Sequence, residues 1–400
     1  MVIKKKALII CEAFYPEDFI INDLVLEWQN KDYEFEVLTR TPSYPFGKVY
    51  DGYKNKIYQK TDFNWIKIHR FPVIQGYHKS IILKIINYFS FVFFGCLIGL
   101  FIGKKFDKIF IYQTGPLTVA LPAILIKKLY KTKITIWTQD LWPDTVYGYG
   151  FKKTRLLSFI LEKLVGFVYR NCSTILVSCE GFIPKINQYV IDKNIIWIPN
   201  WSLLEYKPTK KVKLRGEFNF TFAGNIGKVQ NLENVILGFE IFVKDYPSSY
   251  LNIIGDGSHL NELRDLVLEK KIRNIEFLGR KPLVEMSNYF QASDVLIISL
   301  IDSPIFELTI PSKFQAYLAT EKPIMGTING EVSTLIENNK IGFSANPNDI
   351  KEIGITFSIF KKLSEQQIQD ISLNAKKLLE DSFSRPYLIK KITRIFWDTY

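Results

Sequence analysis

Residues 306–323, FELTIPSKFQAYLATEKP, gather a carboxylate, a lysine and helix-opening residue types in one short stretch. Thr309, Pro311 and Ser312 are types that start helices, so a helix is expected over 313–320 with its free N–H groups turned toward the preceding loop. A phosphate suits such a helix start. Upstream, Glu307 could accept hydrogen bonds from sugar hydroxyls while Lys313 holds a phosphate oxygen, which together answer the needs of a sugar nucleotide. A capped surface helix that happens to carry Glu and Lys is the plain alternative. A second segment, AGNIGKVQN at 223–231, follows an apolar run and opens another helical pattern. There Gly224 and Gly227 free the backbone to approach a phosphate, which is half of a phosphate-binding signal. A glycine-containing connector is the alternative for that loop.

Such loops need a scaffold, and the rest of the chain describes one. Short apolar, β-rich runs alternate with helical patterns: ALIICEAF, YEFEVLTR, FDKIFIYQ, KITIWTQ and STILVSCE in the first half, then FNFTFAG, YLNIIGDG, NIEFLGR, DVLIISL and KPIMGT in the second. This is the form of parallel sheets with crossover helices. A Pro- and Lys-rich stretch, 199–215, reads as a linker between the halves. The expected fold is α/β, with two doubly wound domains facing each other across a cleft, one over 1–200 and one over 201–384. The basic, aromatic segment 385–400 is expected to pack back on the first. Ligands of open α/β sheets bind beyond the carboxyl ends of the strands, which puts the loops after FNFTFAG, LNIIGDG and VLIISL at the cleft.

Composition narrows the function further. Four hundred residues exceed one ordinary core, and the four cysteines and three histidines stand too far apart for a metal-ligand pattern. A reduced cytosolic protein without structural zinc is expected. The basic start MVIKKKALIICEAF is cut by Glu12 and lacks a cleavage site, so it reads as a first buried strand and not a signal peptide. Residues 1–200 hold 27 Lys+Arg against 16 Asp+Glu, which accounts for eleven of the twelve net positive charges. That half is expected to meet an anionic surface, and without a recognised nucleic-acid motif the membrane is the better partner. Residues 81–102 are apolar but interrupted by Lys84 and Asn87, with Gly95, Gly99 and Gly103 at close-packing intervals. A core helix and a helix dipped into the membrane interface both remain open. A true span would separate ALIICEAF from FDKIFIYQ, which one sheet could not then contain.

With FYPEDFIINDL, RTPSYPFGKVYDGY, TQDLWPDTV, IPNWSLLEYKP, FAGNIGKVQNLENV, IIGDG, IEFLGR and IPSKFQAYLATEKPI in view, the chain resembles retaining glycosyltransferases of the two-Rossmann-domain (GT-B) class. It is similar to family 4 and its WbuB-like branch from bacterial surface-polysaccharide synthesis, over nearly the whole length. The resemblance implies a donor site made by Gly224, Asn225, Gly227, Lys228, Gln230, Gly255, Arg280, Ser312 and Gln315. It implies chemistry at Glu307, Asp140 and Lys313, and acceptor contacts at Glu17, Asn22 and Tyr44. Relatives usually carry an Arg after the first Gly of the donor loop and a Lys six residues after that Gly, where this chain has Asn225 and Gln230. Lys228 and Lys313 are the available replacements. Of the family's two glutamates seven residues apart, the second position falls on Ala316 and the first on Leu308, beside Glu307. A loop one residue longer would leave Glu307 on the sugar and pass the ribose contact to Gln315 or backbone. Where relatives often have His-Asp, this chain has Gln139-Asp140, and capping of the turn into LWPDTV is the other reading of Asp140. Arg280 falls where relatives contact the nucleobase, largely through backbone.

The resemblance thus implies transfer of a sugar from a UDP-sugar to a lipid-linked (polyprenyl pyrophosphate) saccharide in O-antigen or capsule synthesis. No cofactor and no metal is expected, since no Asp-X-Asp motif occurs. No nucleic acid partner is expected. The expected place is the inner face of the cytoplasmic membrane, held peripherally by an anionic surface. A UDP-sugar 2-epimerase and a non-catalytic sugar-nucleotide-binding scaffold are the alternatives.

Overall fold

The computed structural model describes residues 6–31, 33–148 and 151–398. The chain forms two compact units, Met1–Pro199 with Ile389–Tyr400, and Asn200–Leu388. In the first, the strands are β1 (Lys6–Cys11), β2 (Glu34–Arg40), β3 (Gln59–Phe63), β4 (Ile66–Phe71), β5 (Lys108–Gln113), β6 (Lys133–Thr138), β7 (Thr174–Val177) and β8 (Asn194–Trp197). They lie in the order β3-β4-β2-β1-β5-β6-β7-β8, parallel except where β3 runs against β4. From Ala7 to Cys11 every residue is buried, as a central parallel strand covered on both faces requires. β3, β4 and β8 were not among the apolar runs. β3 reads QKTDF, β8 has only four residues, and β4 buries His69 and Arg70 inside its run. Those polar side chains survive burial because they are paired: His69 Nε2 lies 2.6 Å from Glu36 Oε2, and Arg70 Nη1 donates to the Arg40 carbonyl at 3.2 Å.

Between β4 and β5 runs the helix Ile81–Ile102, opened by Ser80, whose hydroxyl accepts from Ile82 N–H. Its length and hydropathy suffice to cross a membrane. However, β4, β2, β1 and β5 are successive neighbours in one sheet, so both ends of the helix stay on one side and a simple span is excluded. The glycine stripe sets its packing. A Cβ at Gly95 would lie 2.8 Å from Pro122 Cγ, and one at Gly103 would lie 2.9 Å from Ile126 Cγ2, so the helix Leu121–Tyr130 approaches as closely as backbone permits. Asn87 is buried with its Oδ1 accepting from Ile74 N–H at 3.0 Å, a structural use of a polar residue in an apolar helix. The helix is no fully enclosed core element, because Ile82, Phe89, Phe93 and Phe101 are exposed.

The terminal residues from Ile389 onward belong to the first unit. Trp28 is the anchor: its Nε1 donates to Thr393 Oγ1 at 2.8 Å and its ring stacks on Phe396 at 5.3 Å between centroids. Lys108 Nζ donates to the carbonyls of Phe396 and Trp397 at 2.8 and 3.1 Å, binding the last turn.

The second unit carries β9 (Phe218–Ala223), β10 (Ser249–Ile254), β11 (Ile275–Gly279), β12 (Val295–Ser299), β13 (Ile324–Thr327) and β14 (Gly342–Ala345), all parallel in the order β11-β10-β9-β12-β13-β14. Its core centres on Phe220, Phe239, Phe242, Phe357 and Phe360, packed mostly edge to face. Each fully buried side chain of this kind contributes about 1.5–3 kcal/mol. The stretch expected as a free linker is instead pinned to this unit: Lys207 N–H donates to Ser287 Oγ, and Thr209 and Lys210 N–H both donate to Asn288 Oδ1. The order in which successive strands are added across the sheet reverses between β1 and β5 in the first unit and between β9 and β12 in the second. These are the two topological switch points, where loops diverge and leave a crevice.

Candidate active site

At the switch point of the second unit, the loop after β9 and the loop after β12 meet, Ile301 N–H donating to the Val229 carbonyl at 2.9 Å. Gly224 and Gly255 have φ of +137° and +146°, and a Cβ on Gly255 would sit 1.8 Å from the Gly224 oxygen. Only glycines allow the ends of β9 and β10 to touch in this way. A Cβ on Gly224 would in turn lie 2.5 Å from Lys313 Cε. Lys313 therefore lies directly against the glycine loop, its Nζ 3.6 Å from the centroid of Phe222 and without an acidic partner among the described residues. Burial lowers its pKa from the ordinary 10.5 to about 7.

The helix carrying Lys313 runs Ser312–Leu318, starting one residue earlier and ending two earlier than the pattern predicts, with Pro311 in the cap position and no side-chain bond there. Thr309 does not cap it; its hydroxyl donates to the Phe306 carbonyl. Gln315 is buried, and its amide nitrogen donates to the carbonyls of Pro311 and Ser312 at 3.0 and 3.2 Å, so it braces the helix start. Ser312 is exposed beside it. Glu307 closes a one-turn helix, Pro304–Glu307, half-buried, and its carboxylate accepts no hydrogen bond from the described residues. A Cβ on Gly330 would lie 2.1 Å from the Glu307 carbonyl oxygen, so the loop after β13 fixes this turn.

Asn225 and Gln230 are brought together, Asn225 Nδ2 donating to Gln230 Oε1 at 3.2 Å, and the same oxygen accepts from Gly227 N–H at 2.9 Å. The two residues that replace the usual cations thus hold the loop's shape. Lys228 is exposed on the loop. Arg280 is exposed after β11, the edge strand, which β10 and β9 separate from β12. Sequence reasoning missed Tyr317. Its hydroxyl accepts from Ala223 N–H at 3.0 Å and locks the helix to the end of β9. A buried Tyr in a helix otherwise reads as core. A cavity of about 520 Å³ lies at the opposite, amino ends of β9 and β12, and no donor candidate lines it.

At the first unit's switch point, Asp140 lies after β6, half-buried, and lines a cavity of about 510 Å³. Its carboxyl makes no hydrogen bond among the described residues, so it does not cap the following turn. Burial and then the neighbouring Glu12 raise its pKa to about 7, against the pull of Lys84. Gln139 continues the backbone pairing, its N–H donating to the Gln113 carbonyl at 2.9 Å. Glu12 and Arg40, which the sequence showed only as strand ends, line the same cavity as a buried pair 3.3 Å apart. Burial raises the Glu12 carboxyl and Arg40 draws it back. Tyr44 lines this cavity too, half its surface open, but Glu17 and Asn22 do not. Glu17 is buried with its carboxylate accepting from Phe14, Ser43 and Tyr44 N–H, while Asn22 binds Tyr15 N–H and the Glu17 carbonyl. Glu17 thus fastens the loop that presents Tyr44, and Asn22 holds the backbone around Glu17.

Comparison with known proteins adds identity to this geometry. Residues 207–378 match the family described as glycosyl transferases group 1. Pseudomonas aeruginosa WbjE, assigned as a glycosyltransferase, is 23% identical over 70% of this chain and 71% of its own. Escherichia coli WcaI, assigned as a colanic acid biosynthesis glycosyl transferase, is 24% identical over 63% of this chain and 65% of its own. Among solved structures, one described as E. coli trehalose-6-phosphate bound with UDP-2-fluoro glucose superimposes with a TM-score of 0.74 at 9% identity, covering 99% of this chain and 100% of that one. Residues 207–378, within the second unit, are thus similar to the glycosyl transferases group 1 family on the two-Rossmann-unit fold shared with GT-B enzymes, and the activity this supports is that of a glycosyltransferase.

Proposed function

We propose that this glycosyltransferase moves a sugar from a UDP-sugar to a lipid-linked saccharide in bacterial surface-polysaccharide synthesis, with retention of anomeric configuration and without a metal. The observation that carries the reading is Lys313, a lysine without an acidic partner among the described residues, lodged against the glycine loop at the second unit's switch point. A diphosphate is the ligand that such a lysine, set beside a glycine loop, complements. As the bond from the anomeric carbon to the diphosphate lengthens, fixed amides and a lysine stabilise the leaving charge. A same-face reaction lets the departing phosphate take the acceptor's proton, so no dedicated protein base is needed. Glu307, with its unengaged carboxylate, is assigned to the donor sugar's hydroxyls.

The colanic acid assignment of WcaI and the UDP-2-fluoro glucose in the E. coli structure support this choice of pathway and nucleotide. The family 4 resemblance favours an N-acetylated amino or deoxy amino sugar. Residues 51–170 carry 19 Lys+Arg against 6 Asp+Glu, and with the exposed apolar face of Ile81–Ile102 they favour a peripheral place on the anionic cytoplasmic leaflet. The test is incubation with a panel of UDP-sugars, first alone and then with a polyprenyl-pyrophosphate saccharide, with products read by mass spectrometry. Transfer only in the presence of acceptor is expected. Epimerisation of the donor alone, or UDP-sugar binding without turnover, would overturn the reading.

A further inference from the structure

The first unit's cavity is built from two kinds of wall. One end is polar and comes from the carboxyl ends of the central strands: Glu12 follows β1, Arg40 ends β2 and Asp140 follows β6. The sides are mostly hydrocarbon, with Lys84 set among them. Ile81, Ile85, Tyr88 and Val92 come from one face of the helix Ile81–Ile102, at the three- and four-residue spacing that lines up side chains. Leu157, Leu161 and Leu164 come from the helix Arg155–Asn171. The glycine stripe fixes the later half of the first helix against the protein, so its earlier half is held as a standing wall.

Two further observations point to a ligand. Arg40, which lines the cavity, leaves its buried Nε without a hydrogen-bond partner among the described residues, so the polar end is not fully satisfied by the protein alone. In addition, Ile81 and Phe89 line the cavity and are also 60% and 69% exposed, so the hydrocarbon wall reaches the protein's surface. That surface continues through Ile82 and Phe93 on one helix and Leu156, Phe159 and Ile160 on the other. An exposed apolar patch joined to a polar-ended cavity describes a path out of a hydrocarbon phase.

We infer that this cavity takes the acceptor's own hydrocarbon chain, drawn between the helices Ile81–Ile102 and Arg155–Asn171, with the head group's hydroxyls at the strand ends beside Asp140. The inference rests on the glycosyltransferase reading above and deepens it, since it assigns the lipid and not only the saccharide to a protein site. Asp140 is a positioning residue in this arrangement: it accepts the hydrogen bond of the acceptor hydroxyl.

The test uses n-alkyl β-D-glucosides of six, eight and ten carbons as probes, each below its micelle concentration, titrated calorimetrically into the full chain. Transfer of each methylene from water into an apolar site favours binding by roughly fourfold, so each two-carbon step should tighten binding about tenfold or more. Leu157→Trp and Ile85→Trp fill the cavity from opposite walls, and Ile85 is exposed enough that its variant is not expected to disturb the fold. Each should weaken the ten-carbon probe at least tenfold and leave the six-carbon probe and UDP nearly unchanged. Affinity indifferent to chain length would overturn the inference, as would two folded wall variants that bind the ten-carbon probe like wild type. Failure of the wild type to bind UDP would overturn the donor reading instead, and would leave the chain-length series standing as a separate result.

Discussion

Lys313 makes the donor site sensitive to pH in a way that can be worked out. Burial lowers its pKa to about 7, so in the free protein it is largely neutral by pH 8. A diphosphate binds the protonated form more tightly, so binding must draw a proton from solvent above pH 7. The terminal phosphate of UDP has its last ionisation near 6 and is fully charged across this window. Affinity should then fall by up to tenfold for each pH unit above about 7, corresponding to about 1.36 kcal/mol per unit, until the pKa of the complex is reached. Between pH 7.5 and 9 the loss should approach thirtyfold for UDP and be absent for uridine. Calorimetry in two buffers of different ionisation enthalpy should show uptake of up to one proton per UDP at pH 8.5. Lys313→Gln should bind UDP weakly at every pH and take up none. The fold responds with the opposite sign. Between about 7 and the ordinary 10.5 the unfolded chain binds more protons at this lysine than the native one, so its destabilising effect is complete below pH 7 and is relieved as pH rises. Wild type and Lys313→Gln with parallel UDP profiles, or a wild type without proton uptake, would refute the placement of Lys313 on the diphosphate.

Other outcomes follow from the same geometry. Glu307→Gln should lower turnover about tenfold to a hundredfold, the worth of one charge-assisted hydrogen bond in the transition state, while UDP affinity stays within about twofold. Gly255→Ala sets a Cβ 1.8 Å from the Gly224 oxygen at φ +146°, so it should lower Tm and abolish calorimetric UDP binding together. Asp140→Asn should raise the acceptor KM more than it lowers kcat; in wild type, kcat/KM for acceptor should rise with pH through about 7 as the carboxylate forms, and this step should vanish in the variant. Flotation with anionic vesicles should weaken in high salt without vanishing, because screening removes the attraction of the lysines but not the burial of Phe89 and Phe93.

Local pattern and long-range arrangement divide what the sequence could reveal. Apolar runs such as ALIIC and TILV declare themselves because a parallel strand buried on both faces must be apolar at every position, and their carboxyl ends then locate the loops of both sites. The glycine loop at Gly224 and the Glu307–Lys313 segment were legible for the same reason, since each lies beside a strand that could be seen. β4 was hidden because its His69 and Arg70 are acceptable only when paired with Glu36 and the Arg40 carbonyl, partners about thirty residues away. Glu12 and Arg40 were invisible as a site. One ended an apolar run and the other ended a strand, and they meet only because β1 and β2 are neighbours in the sheet. The stretch 199–215 looked like a linker because Pro and Lys are what linkers contain, yet composition is silent about Asn288, whose side chain takes two of its backbone N–H groups. Helix Ile81–Ile102 shows the limit most sharply. Its glycines announced a close-packing face, but a nearly uniform apolar helix carries no polar stripe to mark its outer side. Which of its hydrophobic residues form a cavity wall and which meet the surroundings is decided by Pro122 and Ile126 on the helix it leans against. The first unit's cavity therefore depends on how helices pack, whereas the second unit's site joins two short segments, at Gly224 and at Glu307–Lys313, each of which local pattern already marks.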